Sequence, residues 1–560
     1  DWNKPDLALS NLNKALRINP QYAEAYNNIG NSYRKKSQVS LAIESYQKAI
    51  NLNPEYFDAL CNLGLCFAIE NKNEEAKVIY ERLTQNSPEN TAYKIAYANI
   101  LLKLKETDAA EEIFEEITKI SPRSVEAYNG KGLCDIEKRN FRTAKLNFKK
   151  CIKIDNSYIE AHNNLGMVLM EEHNYNEAIS VFKNVLNLND RYLRAYSNLG
   201  RCYLDIGQLG EATKIFNDGL RIDKEYKPIL KNLVDLNLLV DNFFQAEKLV
   251  YHMMVSTPND ANLFNVLGTI HEKKGDLVKA KEAINRALAI DPGHSSAKIN
   301  LATILHQYGD HKKAREILEK LAESEGFNND LENNLANIYL ILGIFESGWN
   351  KYETRWKVSP LNRAVWPIKG RILWEGQKDK KVLLWKEQGI GDDILFMGLV
   401  FEAAKVASST IVYTDPRLVS LCQRGMPSIT FKPYKGKIEN EEFDYHLPMG
   451  SLPMLYRRSE RDFKNTVRGY LKADKKRVEN LRKEMGIGDK KVIGISWKSI
   501  KSLHTLKKSL ELTKFGRIFE DLDITLVNLQ YGDVDKDIKE FTRTTGIEIL
   551  QCQSVDNRED

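Results

Sequence analysis

Carboxylates crowd a short glycine-bearing stretch late in the chain, KEQGIGDDILF at residues 386–396. It follows an apolar run and leads into a helical one, so its backbone amides suit an anion. Phosphate cradles usually add a lysine or hydroxyls and lack nearby acids, yet here Glu387, Asp392 and Asp393 surround Gly389 and Gly391. Such a set suits proton abstraction from an acceptor hydroxyl, because a carboxylate on a strand-to-helix turn can take the proton as a bond forms. The commonplace role of an aspartate at a helix start is different: it caps the free amides. A second group comes after the strand-like KVIGISW, where Ser499, Lys501, Lys507 and Lys508, with His504 and Ser509 among them, offer hydroxyls and cations to phosphates. The plainer reading of that stretch is a solvated basic loop. His446 lies near a strand end in FDYHLPMGSLP, although a lone histidine is more often structural. The nine histidines are dispersed, and neither H-E-x-x-H nor paired C-x-x-C occurs, so no metal is expected.

Holding such groups requires a scaffold. KVLLW (381–385), STIVYT (409–414), FDYHLP (443–448), KVIGISW (491–497) and DITLVNLQ (523–530) read as short strands. A helical run is predicted over 392–406, and Asp415 is placed to cap a helix opened by Pro416. Alternating short apolar strands and helices predict an α/β region with parallel sheet, where ligands sit beyond the C-terminal strand ends. The charged stretch 469–489 predicts a helix joining two lobes.

The first two thirds obey another rule. Ala42, Ala76, Ala110, Ala144, Ala178, Ala212, Ala246, Ala280 and Ala314 are spaced 34 apart, with Gly348 next in the series. Twelve residues before each stands a mostly small residue, as at Gly30, Gly64, Gly132, Gly166 and Gly200. Rings stand four residues after several of the alanines, as at Tyr46, Tyr80, Phe114 and Phe148. This period and pattern match the tetratricopeptide repeat, whose helix–turn–helix units are too small to bury their own apolar faces and therefore stack. Ala8, Leu12, Ala15 and Pro20 read as the second helix of a unit whose first helix is missing, which predicts a truncated N-terminus.

Two residues before the small position stand Asn28, Asn62, Asn164, Asn198, Asn232, Asn300 and Asn334. Asparagine is a mediocre helix former, so propensity does not explain the recurrence. One amide per hairpin would form a ladder able to bind an extended peptide backbone; the alternative is a structural amide tying neighbouring helices together. The row skips Ala96, Gly130 and Val266. It resembles the ladder on the concave face of nucleocytoplasmic protein O-GlcNAc transferases, where the amides contact acceptor polypeptide.

Composition sets broad limits. A net charge of +5 over 560 residues gives weak support to nucleic-acid binding, and no arginine–aromatic stripe adds to it. The seven cysteines are scattered and odd in number, which favours free thiols in a reducing compartment and hence the cytoplasm. No stretch reaches the length of a membrane span.

The tail also resembles the catalytic region of bacterial glycosyltransferases fused to tetratricopeptide repeats, relatives of the lipopolysaccharide heptosyltransferases with a two-lobed GT-B fold. The carrying pieces, in order, are LWEGQ, EQGIGDDILF, DPRLVSL, FDYHLPMGSLP, GISWKS and NLQYGD. The resemblance implies inverting transfer from a nucleotide sugar, a co-substrate needing neither metal nor resident cofactor. It puts the acceptor base on Asp392, ahead of Glu387 or Asp393, and donor phosphate contacts on Ser499, Lys501, Lys507 or Lys508. KKSLEL departs from the family, with Lys508 in an arginine's place. The chain also stops at Asp560 after only two strand-like segments of the second lobe, where the family continues.

The implied layout is a repeat solenoid over 1–357, an aromatic-rich junction over 358–377, a first Rossmann-like lobe over 378–480 and the start of a nucleotide-sugar lobe over 481–560. Trp349, Trp356, Trp366 and Trp374 predict that the solenoid docks rigidly on the α/β region. Two functions compete: a glycosyltransferase whose solenoid recruits a protein or saccharide acceptor, and a non-catalytic repeat scaffold that binds proteins. Oligomeric state is open.

Overall fold

The computed structural model describes residues 5–326, 328–357, 368, 372–438, 441–464, 469–498, 509–519, 522–552 and 555. It comprises two compact units, Asp1–Val240 and Asp241–Asp560. In the first, α1 (Pro5–Ile18) precedes the hairpins α2 (Ala23–Lys35) with α3 (Val39–Leu52) and α4 (Phe57–Ile69) with α5 (Asn73–Asn86). Next come α6 (Thr91–Lys103) with α7 (Thr107–Ile120), and α8 (Val125–Glu137) with α9 (Phe141–Ile154). The unit ends with α10 (Ile159–Glu171) and α11 (Tyr175–Leu188), α12 (Leu193–Asp205) and α13 (Leu209–Ile222), and α14 (Lys227–Leu239).

Small and large residues interlock inside each hairpin. Ala42, Ala76, Ala110, Ala144, Ala178 and Ala212 are all 0% exposed, so no larger side chain fits where the helices cross. A Cβ added to Gly166 would meet the Phe182 ring at 2.6 Å, and one added to Gly132 would meet Phe148 at 2.5 Å. The glycine thus provides the space that the ring four residues beyond the alanine fills. Each ring buried this way contributes roughly 1.5–3 kcal/mol over exposure.

A second feature recurs with the same period. Ser37, Asn71, Lys105, Arg139, His173, Gly207, Asp241, Gly275, Gly309 and Gly343 all have positive φ, each 34 residues after the last. Every turn between the two helices of a hairpin therefore passes through the left-handed region, where a side chain costs roughly 1–2 kcal/mol relative to the right-handed one. Only four of the ten positions are glycine.

The second unit opens with α15 (Phe243–Ser256) and the hairpins α16 (Ala261–Lys273) with α17 (Leu277–Ile290), α18 (Ser295–Gln307) with α19 (His311–Glu325), and α20 (Asn329–Ile341) with α21 (Phe345–Tyr352). A 3-10 turn, Glu353–Lys357, ends the helical array. The mixed α/β region comes next, beginning with β1 (Lys381–Trp385), α22 (Ile390–Met397), α23 (Val400–Val406), β2 (Ser409–Thr414), α24 (Pro416–Gly425), β3 (Thr430–Pro433) and β4 (Tyr445–Pro448). These four strands form one parallel sheet in the order β3-β2-β1-β4. A separate parallel sheet, β5-β6-β7, is built from Val492–Ile495, Thr525–Asn528 and Ile549–Leu550.

β1 is buried on both faces. Val382 and Leu384 join a core with Trp374, Met397 and Val400, while Leu383 and Trp385 join Tyr413 on the other side. Trp349 packs against the first core and Trp356 against the second, so the end of the repeats is seated on the sheet. Trp366 lies outside the described residues. The expected helix over 392–406 is two helices that break at Gly398 and Leu399. β3 and β7 were not predicted: TFKP carries a lysine and a proline, and β7 is two residues long, so neither shows period-2 alternation. Among the described residues no helix is long and apolar enough to cross a membrane.

Candidate functional site

Within each unit first helices of successive hairpins touch one another, as α2 does α4, α8 does α10 and α10 does α12 in the first. In each, the eighth residue faces the hairpin core. By helical periodicity the second, sixth, ninth and thirteenth fall on the opposite arc, while the fifth and twelfth lie about 40–60° from the eighth. The recurring asparagine is the sixth residue, so it stands on this inner face.

Its amide is already oriented. Asn62 donates through Nδ2 to Asn27 Oδ1 at 3.1 Å, Asn164 to Asn129 at 2.9 Å and Asn198 to Asn163 at 3.1 Å. Asn232 donates to Ser197 Oγ at 3.0 Å and to its carbonyl at 3.2 Å. In the second unit Asn300 donates to Asn265 at 2.8 Å and to Thr269 at 3.3 Å. Each principal partner is 35 residues earlier, at the position just before the equivalent one in the preceding unit. Those acceptors are among the more deeply buried polar groups, with Asn27 5%, Asn163 2% and Ser197 7% exposed, while Asn62, Asn164, Asn198 and Asn232 are half-buried. The amides therefore tie neighbouring helices together and still reach solvent.

The exceptions have local causes. Asn334 finds Ile299 at the acceptor position, and it turns back to the Asp330 carbonyl of its own helix at 2.8 Å. Asn28 is exposed and lines a hollow with Pro5, Ala8, Asn11 and Leu12. At the skipped Gly130, a Cβ would come within 2.3 Å of the Phe114 ring of the preceding unit, so a ring occupies the space an asparagine needs. The acceptor positions were missed by sequence reasoning, although the doublets Asn27–Asn28, Asn163–Asn164 and Asn333–Asn334 carried the signal.

The glycine loop lies beyond the C-terminal end of β1, and its acids are engaged. Asp392, third residue of α22, accepts from Gly389 N at 3.1 Å, the reach-back half of a capping box. Asp393 is buried; it accepts from Thr414 Oγ1 at 2.8 Å and from Asp415 N at 3.1 Å, and burial raises its pKa. Lys386 stands 3.7 Å from Asp393 and 3.4 Å from Asp415, whose carboxyl Arg417 holds well below the usual range.

Glu387 is 3% exposed and faces Arg355, itself 3% exposed, with Nη2 at 3.0 Å from both carboxylate oxygens. Burial raises the Glu387 pKa against the pull of that guanidinium. Arg355 also donates to Glu353 at 2.6 Å and to Ser451 at 2.9 Å, and it lies over the Tyr352 and Trp356 rings. A Cβ at Gly450 would come within 1.8 Å of Glu387 Oε1, so a bare backbone there makes room for the carboxylate. His446, buried, accepts through Nδ1 from Trp385 Nε1 at 3.2 Å. Gly389 and Gly391 have ordinary negative-φ backbone, and a Cβ on Gly391 would meet nothing within 4 Å.

The loop thus brings Glu387, Asp392 and Asp393 into one neighbourhood but sends each to a different partner. Ser499, Lys501, Lys507 and Lys508, named for donor phosphates, lie outside the described residues, as does His504. Arg355, Glu353 and Ser451 were not anticipated, because no spacing links residues 32 to 98 apart in sequence to a common cluster.

Comparison with known proteins bears on the repeats. Models of the tetratricopeptide repeat match residues 3–37, 30–68, 67–132, 125–158, 158–225 and 273–338. Protein FlbA of Caulobacter vibrioides is 27% identical over 331 residues, covering 54% of this chain and 55% of FlbA, so the chain spans about half the length of that curated relative. Among solved structures, yeast Tom70 is 16% identical, covering 64% of this chain and 89% of its own with a TM-score of 0.38. A thermophilic TPR protein of Thermus thermophilus is 19% identical, covering 32% and 99% with a TM-score of 0.31.

These findings correct the catalytic resemblance. The matching family models all describe the repeat and fall between residues 3 and 338, and none supports a glycosyltransferase, GT-B or heptosyltransferase-like description of the tail. The acids that drew attention to it serve as a helix cap, a buried hydrogen-bond acceptor and an ion-pair partner. What remains is a mixed α/β region behind the helices, and the N-terminal part of this chain is a tetratricopeptide-repeat solenoid.

Proposed function

We propose that the protein is a scaffold whose solenoid captures an extended polypeptide along the inner face of its first helices. The observation that carries this is the row of half-buried amides at Asn62, Asn164, Asn198 and Asn232, each held in one orientation by a bond to the preceding unit. A fixed amide spends one N–H on that bond and keeps a carbonyl and a second N–H for a ligand. An extended chain offers the matching carbonyls and amides at regular intervals, and stacked repeats present extended binding surfaces of this kind. The α/β region is coupled to the last hairpin through the Arg355 cluster. The cytoplasm fits the seven free thiols, five of them buried.

Met167, ninth residue of α10 and 44% exposed, gives a test that leaves the fold intact. Peptides selected from a random array by the full 560-residue chain should lose binding to Met167→Arg. They should keep it with Leu146→Arg on the second helix α9, where Leu146 is 62% exposed. If no selected peptide distinguishes the two variants, the inner face is not the binding surface.

A further inference from the structure

The inner face is not uniform, and two adjacent first helices repeat one arrangement. In α8 the second, fifth, sixth, ninth, twelfth and thirteenth residues are Glu126, Asn129, Gly130, Leu133, Ile136 and Glu137; in α10 they are Glu160, Asn163, Asn164, Met167, Met170 and Glu171. Each helix therefore carries a carboxylate at either end, amide or bare backbone next, and an apolar pair beyond it. The neighbours differ: α6 offers Ala92 and Lys103 at the equivalent ends, and α12 offers Arg194 and Asp205.

The apolar strip is open, with Met167 44% exposed and Leu133, Ile136 and Met170 half-buried. The carboxylates flank it in two rows. Eleven residues of helical rise separate the second from the thirteenth position, roughly 16 Å. Glu126 and Glu160 share one edge: Tyr158, pushed up to about 12 mainly by burial, is raised further by both. Glu137 is already paired with Lys105 at 2.6 Å. Glu126, Glu160 and Glu171 have no ion-pair partner among the described residues, and Glu126 only meets Ser124 Oγ at 3.5 Å. On α12, Arg201 contacts Asp205 and Asp235, which ends the acidic stretch.

We infer that the α8–α10 stretch of the solenoid receives an extended polypeptide segment with a central leucine- or methionine-like residue flanked by lysines or arginines. This rests on the scaffold reading and names the chemistry of its partner. The apolar residue covers the Leu133–Met167 strip, and long basic side chains reach from the central backbone to the carboxylate rows. Opposite charge across the rim speeds encounter and rejects wrong partners, while the apolar contact supplies the core of the interface. A nucleic acid meets like charge at both rows.

The test uses the full chain and three labelled ten-residue peptides that share a central leucine and differ in flanks of lysine, serine or glutamate. Fluorescence anisotropy should show the lysine peptide binding about tenfold tighter than the serine one, and the glutamate peptide weakest. The triple change Glu126→Gln, Glu160→Gln and Glu171→Gln preserves shape and should erase that preference while leaving the serine peptide unaffected. Raising the salt should narrow the same gap. Equal binding of the lysine and serine peptides, or a preference that survives the triple change, overturns the charge assignment and leaves the scaffold reading standing. Loss of every selected peptide's dependence on Met167 removes both.

Discussion

The inner face of the repeats and the glycine loop of the α/β region both gather polar side chains, and they do so on opposite principles. Along the repeats, donor and acceptor are 35 residues apart each time, so one geometry is copied from unit to unit. Around the loop, Glu387 meets an arginine 32 residues away and that arginine meets a serine 96 residues away, in a cluster that occurs once. Repetition spreads the stabilisation over many modest bonds and leaves amides at the surface. The single cluster concentrates charge where water is excluded, and its acids have little left to offer a substrate. Half-satisfied groups at a surface are suited to binding; fully satisfied groups in an interior are suited to holding elements together.

That contrast can be broken at its strongest point first. Arg355→Met strands the buried Glu387 carboxylate, and the half-buried Glu353 beside it, without their cation, and the second unit should lose about 3–5 kcal/mol. Hydrogen exchange should accelerate at β1 and β4 and spare the hairpins of the first unit. The companion change Arg355→Met with Glu387→Met should recover much of the loss, since a well-packed apolar pair can replace a buried ion pair. Unchanged exchange in the single variant would mean that the cluster does not hold the sheet to the last hairpin.

Next in size is the ladder. Asn198→Ala leaves Asn163 Oδ1, in a side chain only 2% exposed, without its donor and should cost about 1–3 kcal/mol in chemical denaturation. Asn334→Ala removes a bond to its own helix and a long one accepted from Thr303 Oγ1 at 3.5 Å, and should cost well under that. Equal costs would show that the inter-unit bond is not what distinguishes the two.

The smallest effect concerns the turns. Arg139, exposed and at φ 58°, has a conformation that glycine adopts without a Cβ penalty. Arg139→Gly should therefore stabilise the first unit by about 0.5–1 kcal/mol, visible as a higher thermal midpoint. Destabilisation would mean that the greater freedom of glycine in the unfolded chain outweighs the relieved strain.

Periodicity also decided what could be read from the sequence. The alanines, glycines and rings of the hairpins were legible because small and large residues must alternate in space at fixed intervals. The asparagine row was legible for the same reason, but its partners were not, since Ser197 stands where others have asparagine. The left-handed turn was hidden by chemistry: Ser37, Lys105 and Arg139 are not residues that advertise positive φ. In the α/β region the longer strands were visible from their apolar runs, and Asp415 does cap the helix opened by Pro416. Arg355 was invisible, because an arginine near the end of a helical array looks like surface until the fold buries it. Asp392 was conspicuous, and its cap contact with Gly389 was the plainer of the two roles its position allowed.

The 35-residue offset has an evolutionary corollary. Removing residues 164–197 would join Asn163 directly to Asn198, which would then stand where Asn164 stood and find Asn129 waiting as acceptor. Duplicating the same block would be equally harmless, because every copy arrives with its own donor and its own receiving group. Over this stretch the number of units is thus free to vary, and a gene could trim or extend the row in whole steps without orphaning its amides.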